Sequence, residues 1–219
     1  MSKLVIGKES KWVMIGDSIT DCERARPYGE GLFAGIGTGY VALVDALLQV
    51  NDPDKKIRII NMGNSGDTVR ELKARWQKDV LDLKPDWTSI LIGINDVWRQ
   101  FDSPLQTESH VYVEEYKESL EYLVKTTLEQ GSCVLMITPY YMEPNTNDLM
   151  RKTMDMYGAA VKEIAHKYKL PVVDLQASFD QALTIGHGNR FAWDRVHPNM
   201  HGHMLIAKKI LDQINFEWD

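Results

Sequence analysis

The chain has 219 residues, of which 44% are hydrophobic and 26% are charged, and its formal net charge is −6. This length and composition suit one globular α/β domain or two small ones. The acidic balance and the scattered Lys and Arg residues exclude a nucleic-acid-binding protein. The only two cysteines, Cys22 and Cys133, are too few for a disulfide framework, which favours a reducing compartment.

The first twelve residues, MSKLVIGKESKW, contain no apolar run of the kind found in a signal peptide. Nowhere does the sequence approach the ~20 consecutive apolar residues that span a bilayer. We therefore expect a cytoplasmic protein with no membrane partner.

Five short apolar runs predict the strands of a parallel sheet, because strands buried on both faces are rich in Val and Ile. In chain order, these runs cover residues 12–15, 57–60, 87–92, 133–137 and 171–173. Amphipathic stretches lie between them and predict helices over residues 40–50, 68–81, 111–130 and 149–168. The alternation indicates a sheet covered by helices on both faces, and the absence of a linker favours one domain over residues 1–219.

Three local signals refine these elements. Thr68 followed by Glu71 has the spacing of a capping box, which predicts a helix start. Pro198 is predicted to open the last helix, where a missing N–H costs nothing. Residues 21–38 form a long loop with four glycines, and loops of this length inside a compact domain are usually functional.

Candidate functional residues follow the strands, because ligands bind outside the carboxyl ends of an open α/β sheet. Ser18 follows the first run in the segment GDSIT and is a candidate nucleophile. Gly66 follows the second run in NMGNSGDT, where a glycine turn before a helix leaves N–H groups free for an oxyanion. Asn95 follows the third run in GIND and can add its side-chain amide.

The segment DRVHP near the end of the chain contains Asp194 and His197, three residues apart. An Asp–His pair of this kind sets the tautomer and the orientation of the imidazole. Each of these residue types is common in turns when taken singly. Together, the four segments supply a nucleophile, an oriented base and three oxyanion donors.

These four segments resemble the signature blocks of the SGNH hydrolases, also called GDSL hydrolases, which are named after Ser, Gly, Asn and His. The matching residues are Ser18, Gly66, Asn95 and His197, in the expected order over residues 16–197. The resemblance implies a flavodoxin-like three-layer α/β/α sandwich with a parallel five-stranded sheet. The first block has Ile19 where the family name has Leu, an apolar exchange that leaves the chemistry unchanged.

The resemblance also implies the role of each site residue. Ser18, His197 and Asp194 would form the catalytic triad. The N–H of Ser18, the N–H of Gly66 and the amide of Asn95 would stabilise the oxyanion. A Ser-His-Asp esterase of this kind needs no cofactor and no metal.

The segments GDSITD, RARP, INDVWR and WDRVHP further resemble the intracellular acetylxylan esterases of this family. This implies a serine esterase that removes acetyl groups from xylo-oligosaccharides or related acetylated sugars through an acyl-enzyme. Aromatic faces pack on sugar rings and Arg donates to hydroxyls, although the Trp side chains also suit a core or a subunit contact. The predicted substrate contacts are Asp17, Trp98, Arg99, Trp193 and Arg195.

Alternatives within the same chemistry are a thioesterase or lysophospholipase acting on longer acyl chains, and a sugar O-acetyltransferase. A non-catalytic carbohydrate-binding protein is disfavoured, because binding alone does not require a triad. The expected partner is a small acetylated saccharide, and assembly as a homo-oligomer stays open.

Two further types of site are disfavoured by the sequence. A metal site built from His197, His201 and His203 lacks a cysteine or acidic cluster to complete it. Cys22 has no predicted base nearby, and Cys133 is predicted to lie in a core strand, so both thiols are expected to be inert.

Overall fold

The central element of the structure, a computed structural model that describes residues 5–218, is a parallel sheet of five strands in the order β2-β1-β3-β4-β5. The strands are β1 (Lys11–Gly16), β2 (Arg58–Asn61), β3 (Trp87–Leu91), β4 (Cys133–Ile137) and β5 (Val172–Val173). Each coincides with one of the predicted apolar runs. The chain passes from β1 to β2 on one side and then to β3 on the other, so β1 lies at the topological switch point where ligands bind in such sheets.

Helices connect the strands and cover both faces of the sheet. They are α1 (Ser18–Asp21), α2 (Tyr40–Asn51), α3 (Val69–Asp79), α4 (Ile94–Asp102), α5 (Val113–Glu129), α6 (Leu149–Tyr168), α7 (Leu175–Leu183) and α8 (Met200–Gln213). Helices α2, α7 and α8 pack together, as do α3 to α6. All of β3 is buried, as a strand covered on both faces must be. This confirms the predicted α/β/α arrangement.

The predicted start of α3 is confirmed, whereas the predicted start of the last helix is wrong. Thr68 caps α3 by accepting from the N–H of Arg70 at 3.2 Å, and Glu71 accepts from the N–H of Thr68 at 2.8 Å. Pro198 does not open the last helix. The N-cap of α8 is Asn199, whose side-chain oxygen accepts from two N–H groups of the first turn, a role for which Asn is among the preferred residues.

One further expectation, for Cys133, is wrong, and another falls partly outside the described residues. Cys133 is the first residue of β4, and its side chain is exposed rather than in the core. The N-terminal segment MSKLVIGKESKW begins with residues 1–4, which lie outside the described residues. Between residues 5 and 218, no helix combines the length and the apolar character needed to cross a membrane.

Among the buried carboxyl groups at the carboxyl edge of the sheet, those of Asp17 and Asp96 have no ion-pair partner within residues 5–218, unlike those of Asp21 and Asp67. Asp17 is 1% exposed and Asp96 is 0% exposed. The Asp17 Oδ1 atom accepts from the N–H of Ile19 at 2.9 Å, and the Asp96 Oδ1 atom accepts from the N–H of Val69 at 3.0 Å. Within residues 5–218, the second oxygen of each has no hydrogen-bond partner. Burial raises the pKa of Asp17 to about 7 and the pKa of Asp96 to about 8, because the charged form is poorly solvated.

These shifts predict that the free energy of unfolding decreases as the pH rises. Above the ordinary pKa of 3.8 and up to about 8, folded Asp96 keeps a proton that the unfolded chain has lost. The loss is at most about 1.4 kcal/mol per pH unit for each such group. We expect Asp96→Asn to reduce the slope, because Asn keeps an acceptor for the N–H of Val69 and has no proton to lose.

Urea unfolding between about pH 5 and about pH 8 measures this slope. Asp54→Asn, which changes an exposed carboxylate, is the matched control and should follow the wild type. An Asp96→Asn slope equal to that of the wild type would contradict the prediction.

Candidate active site

Ser18 lies just beyond the carboxyl end of β1, directly after Asp17, which follows the last residue of the strand. Asp17 caps the short helix α1, and Ser18 is the first residue of that helix. The half-buried Ser18 Oγ atom lies 3.0 Å from the Nε2 atom of His197. The fold therefore brings a hydroxyl and an imidazole into hydrogen-bond contact although 179 positions separate them in the chain.

The imidazole of His197 is oriented by Asp194. The Nδ1 atom of His197 lies 2.6 Å from the Oδ2 atom of Asp194. The Oδ1 atom of Asp194 accepts from the N–H groups of Val196 at 3.0 Å and His197 at 2.8 Å. Partial burial opposes ionisation of this carboxyl, but the hydrogen bonds outweigh it and hold the pKa of Asp194 below its usual value. An ionised Asp194 keeps the proton on Nδ1, which leaves Nε2 as the acceptor that faces Ser18.

The loop that carries this pair is fastened to the segment after β4. The N–H of Met142 donates to the carbonyl of Arg195 at 3.0 Å. The hydroxyl of Tyr140 donates to the carbonyl of Val196 at 3.2 Å. Arg195 itself has a left-handed backbone with a φ of 66°. These contacts fix the backbone between Asp194 and His197.

The three predicted oxyanion donors are available for a ligand. Within the described part of the chain, no acceptor takes a hydrogen bond from the N–H of Ser18 or from that of Gly66. Gly66 has a φ of +87°, a conformation that side chains disfavour, and a Cβ atom there would meet no atom within 4 Å. The Asn95 Nδ2 atom donates to the carbonyl of Asp67 at 2.9 Å, which leaves its second N–H free.

The loop of residues 62–68, which carries Gly66, is tied to the end of β1 and to α1. The N–H of Asn64 donates to the carbonyl of Gly16 at 2.9 Å. The N–H and the hydroxyl of Ser65 both donate to the Oδ2 atom of Asp21, at 2.9 and 2.8 Å. The glycine turn is thereby held beside the helix that begins with the candidate nucleophile.

Arg75 on α3 fastens the same loop from the other side. Its guanidinium donates to the carboxylate of Asp67 at 2.6 Å, to the carbonyl of Met62 at 2.7 Å and to the carbonyl of Gly16 at 3.0 Å. Sequence reasoning missed Arg75, and it also missed the role of Asp21. No helical spacing rule links Arg75 to Asp67, because Asp67 precedes the N-cap of α3.

The two aromatic residues predicted to contact substrate differ in exposure. Trp98 is half-buried on α4, and its ring centroid lies 5.8 Å from that of His197 with an angle of 57° between the ring planes. Trp193 precedes Asp194 and is 84% exposed. The Trp98 indole thus packs on the imidazole of His197. The Trp193 indole is open to solvent, on the loop that carries Asp194.

The three polar residues predicted to contact substrate are engaged with protein atoms. The guanidinium of Arg99 donates to the Oδ1 atom of Asn95 at 3.1 Å. The guanidinium of Arg195 forms an ion pair with Glu143. Asp17 is 1% exposed, so it has almost no surface to offer a substrate.

Cys22 has a histidine neighbour that the sequence did not indicate. The Sγ atom of Cys22 lies 3.5 Å from the Nε2 atom of His203 on α8. The Nδ1 atom of His203 accepts from the N–H of Tyr40 at 3.2 Å, so the proton of a neutral ring is on Nε2 and points to sulfur. Burial lowers the pKa of His203 to about 4 and raises the pKa of Cys22 to about 12. The pair is neutral and does not form a thiolate.

The histidines considered for a metal site have separate partners. His197 faces Ser18 and Asp194, His203 faces Cys22, and the Nδ1 atom of His201 lies 3.1 Å from the carbonyl of Arg190. Among residues 5–218, no three His, Cys, Asp or Glu side chains are grouped in a way that could hold a metal ion.

Comparison with known proteins identifies relatives over almost the whole chain. Residues 14–205 match the GDSL-like lipase/acylhydrolase family. The chain is 53% identical over 213 residues to the acetylxylan esterase of Geobacillus stearothermophilus, covering 97% of each protein. The crystal structure of a catalytic mutant of an acetylxylan esterase from the same organism superposes with a TM-score of 0.96, at 52% identity and 98% coverage of both chains.

A second solved structure gives the same result. An alpha/beta hydrolase enzyme from the metagenome of Lake Arreo, Spain, superposes with a TM-score of 0.96 at 46% identity, covering 99% of this chain and 100% of that one. The fold, the order of the four motifs and these matches agree with the resemblance found in the sequence. The chain therefore belongs to the GDSL-like lipase/acylhydrolase family, the SGNH hydrolases.

Proposed function

We propose that this protein is a serine esterase that hydrolyses acetyl esters on xylo-oligosaccharides or related acetylated sugars. Its family and its 53% identity to an acetylxylan esterase make it a carboxylic ester hydrolase. The observation that carries the mechanism is the continuous chain from the Ser18 hydroxyl through His197 to Asp194, with contacts of 3.0 and 2.6 Å.

In the first half of the reaction, Ser18 attacks the ester carbonyl carbon. The Nε2 atom of His197 takes the hydroxyl proton as the new oxygen–carbon bond forms. Asp194 keeps the ring in place and stabilises the imidazolium. The sugar oxygen then leaves with the proton that His197 holds, and the acetyl group stays on Ser18.

Negative charge develops on the carbonyl oxygen during this attack. The N–H of Ser18, the N–H of Gly66 and the free N–H of the Asn95 amide are the donors proposed to bind it. Each such donor contributes about 2.7–4 kcal/mol in comparable enzymes. Within residues 5–218 these three N–H groups have no protein acceptor, which supports this assignment, because donors that need not rearrange lose nothing at the moment of reaction.

The second half of the reaction repeats these steps with water. His197 takes a proton from water, the resulting hydroxide oxygen attacks the acetyl carbon, and Ser18 leaves with that proton. Acetate is released and the enzyme returns to its starting state. The two indoles, Trp98 and Trp193, are the proposed surfaces for the sugar, because an aromatic face packs well on a sugar ring.

Ser18→Ala is expected to lower acetate release from acetylated xylo-oligosaccharides by about four orders of magnitude or more. The reason is that the hydroxyl in contact with the Nε2 atom of His197 is that of Ser18. Acetate can be measured directly over time. Ser178→Ala is the matched control, since the Ser178 hydroxyl donates to its own helix backbone and should leave the rate unchanged. An unchanged rate in Ser18→Ala would remove Ser18 from the mechanism.

The acyl preference separates the proposed substrate class from the alternatives. With nitrophenyl esters from acetate to octanoate, we expect kcat/KM to be highest for acetate. The Trp98 ring packed on His197 limits the space beside the imidazole and supports this expectation. Values that rise toward octanoate would favour a thioesterase or lysophospholipase. Acetate formation that requires an added acceptor sugar would favour an O-acetyltransferase.

A further inference from the structure

We infer that Arg99 is a positioning residue that acts through Asn95, and not a substrate contact. The two residues are one turn apart on α4, and the Nη2 atom of Arg99 donates to the Oδ1 atom of Asn95 at 3.1 Å. The inference rests on the proposed function, because the amide of Asn95 is one of the proposed oxyanion donors.

The orientation of the Asn95 amide is fixed by two partners of opposite chemistry. A guanidinium only donates hydrogen bonds, so the amide atom that faces Arg99 must be the oxygen. The carbonyl of Asp67 only accepts, so the atom that faces it at 2.9 Å must be the nitrogen. Asn95 is 3% exposed, which leaves little water to replace either partner. Both contacts therefore require the same orientation, with the second N–H free for a ligand.

Without Arg99, one of these two constraints is lost. A buried Asn95 oxygen with no donor carries the cost of desolvation, and the amide is then held only by its contact with the carbonyl of Asp67, so its orientation is less well fixed. A rotated amide presents its oxygen where the free N–H had been. A lone pair at that position repels the developing oxyanion instead of stabilising it.

Arg99 is itself held in position. Its Nη1 atom forms an ion pair with Asp102 on the last turn of α4, and its guanidinium carbon lies 5.3 Å from the centroid of the Trp98 ring. The guanidinium is thus engaged on two sides by the protein. The positive charge also polarises the Asn95 amide, and donors next to a charged partner form stronger hydrogen bonds.

The test compares Arg99→Met with Arg99→Gln. Met has similar length but no donor, whereas Gln can donate to Asn95 at the same helical spacing. For acetyl ester hydrolysis, we expect Arg99→Met to lower kcat by between about 10-fold and 100-fold with KM changed less than about threefold, part of the effect of losing a whole donor. Arg99→Gln should recover most of the loss. A raised KM with unchanged kcat in Arg99→Met would overturn the inference in favour of a substrate contact.

A double-mutant cycle with Asn95→Ala gives the decisive comparison. If Arg99 acts through Asn95, Arg99→Met should change kcat less than about twofold when Asn95 is already Ala. Additive losses would overturn the inference. Circular dichroism and the thermal midpoint establish that each variant is folded.

A binding measurement covers the case in which Asn95→Ala does not fold. Methylboronic acid forms a tetrahedral adduct with a serine hydroxyl and places an oxygen where the oxyanion develops. We expect Arg99→Met to weaken its binding by about 10-fold, and unchanged binding would overturn the inference. Failure of the proposed function is distinguishable, because the wild type would then release no acetate, or Ser18→Ala would remain active.

Discussion

The conformation of the loop of residues 62–68 is the constraint on which the site depends. This loop presents the Gly66 N–H, and loops of irregular backbone are mobile unless their polar groups are paired. Here the carbonyl of Gly16, the carboxylate of Asp21, the guanidinium of Arg75 and the first turn of α4 all bind it. Four separate elements thus hold this loop in one conformation, and preorganisation of that kind is the condition for strong electrostatic stabilisation.

The second half of the site depends on an equivalent fastening of the loop before α8. The strands determine which regions meet, because parallel strands end at one edge of the sheet and β1 lies at the switch point. The position of the His197 imidazole relative to β1 is set by local contacts. Tyr140 and Met142 hold the carbonyls of Val196 and Arg195, so the segment after β4 sets the distance from the imidazole to β1.

Most features encoded in short stretches of sequence were predicted correctly, with the start of the last helix at Pro198 as the exception. The five strands follow from runs of buried apolar residues, and the start of α3 follows from the capping box of Thr68 and Glu71. The order of the four motifs likewise needed only the sequence. The roles of the individual site residues are predictions that rest on the family and the contacts described above.

Features that depend on distant contacts could not be found in this way. The segment GIND has the composition of a turn, and only the structure shows that α4 begins within it at Ile94. Cys22 and His203 are 181 positions apart, and no spacing rule connects them. The role of Arg75 depends on three carbonyl and carboxylate groups in two other elements. For Cys22 and Arg75 the partner is determined by tertiary packing, which local propensity does not encode.

The buried carboxyl groups of Asp17 and Asp96 affect both the stability of the fold at high pH and the charge near the site. Asp17, which is next to Ser18 in the sequence, accepts from the N–H of Ile19. Asp96, which is next to Asn95, accepts from the N–H of Val69. A carboxylate at such a position would oppose negative charge on a bound oxyanion. Burial raises the pKa of Asp17 to about 7 and that of Asp96 to about 8, so below these values both groups are neutral. The burial that lowers stability at high pH therefore also removes two negative charges from the region where the ester carbonyl is proposed to react.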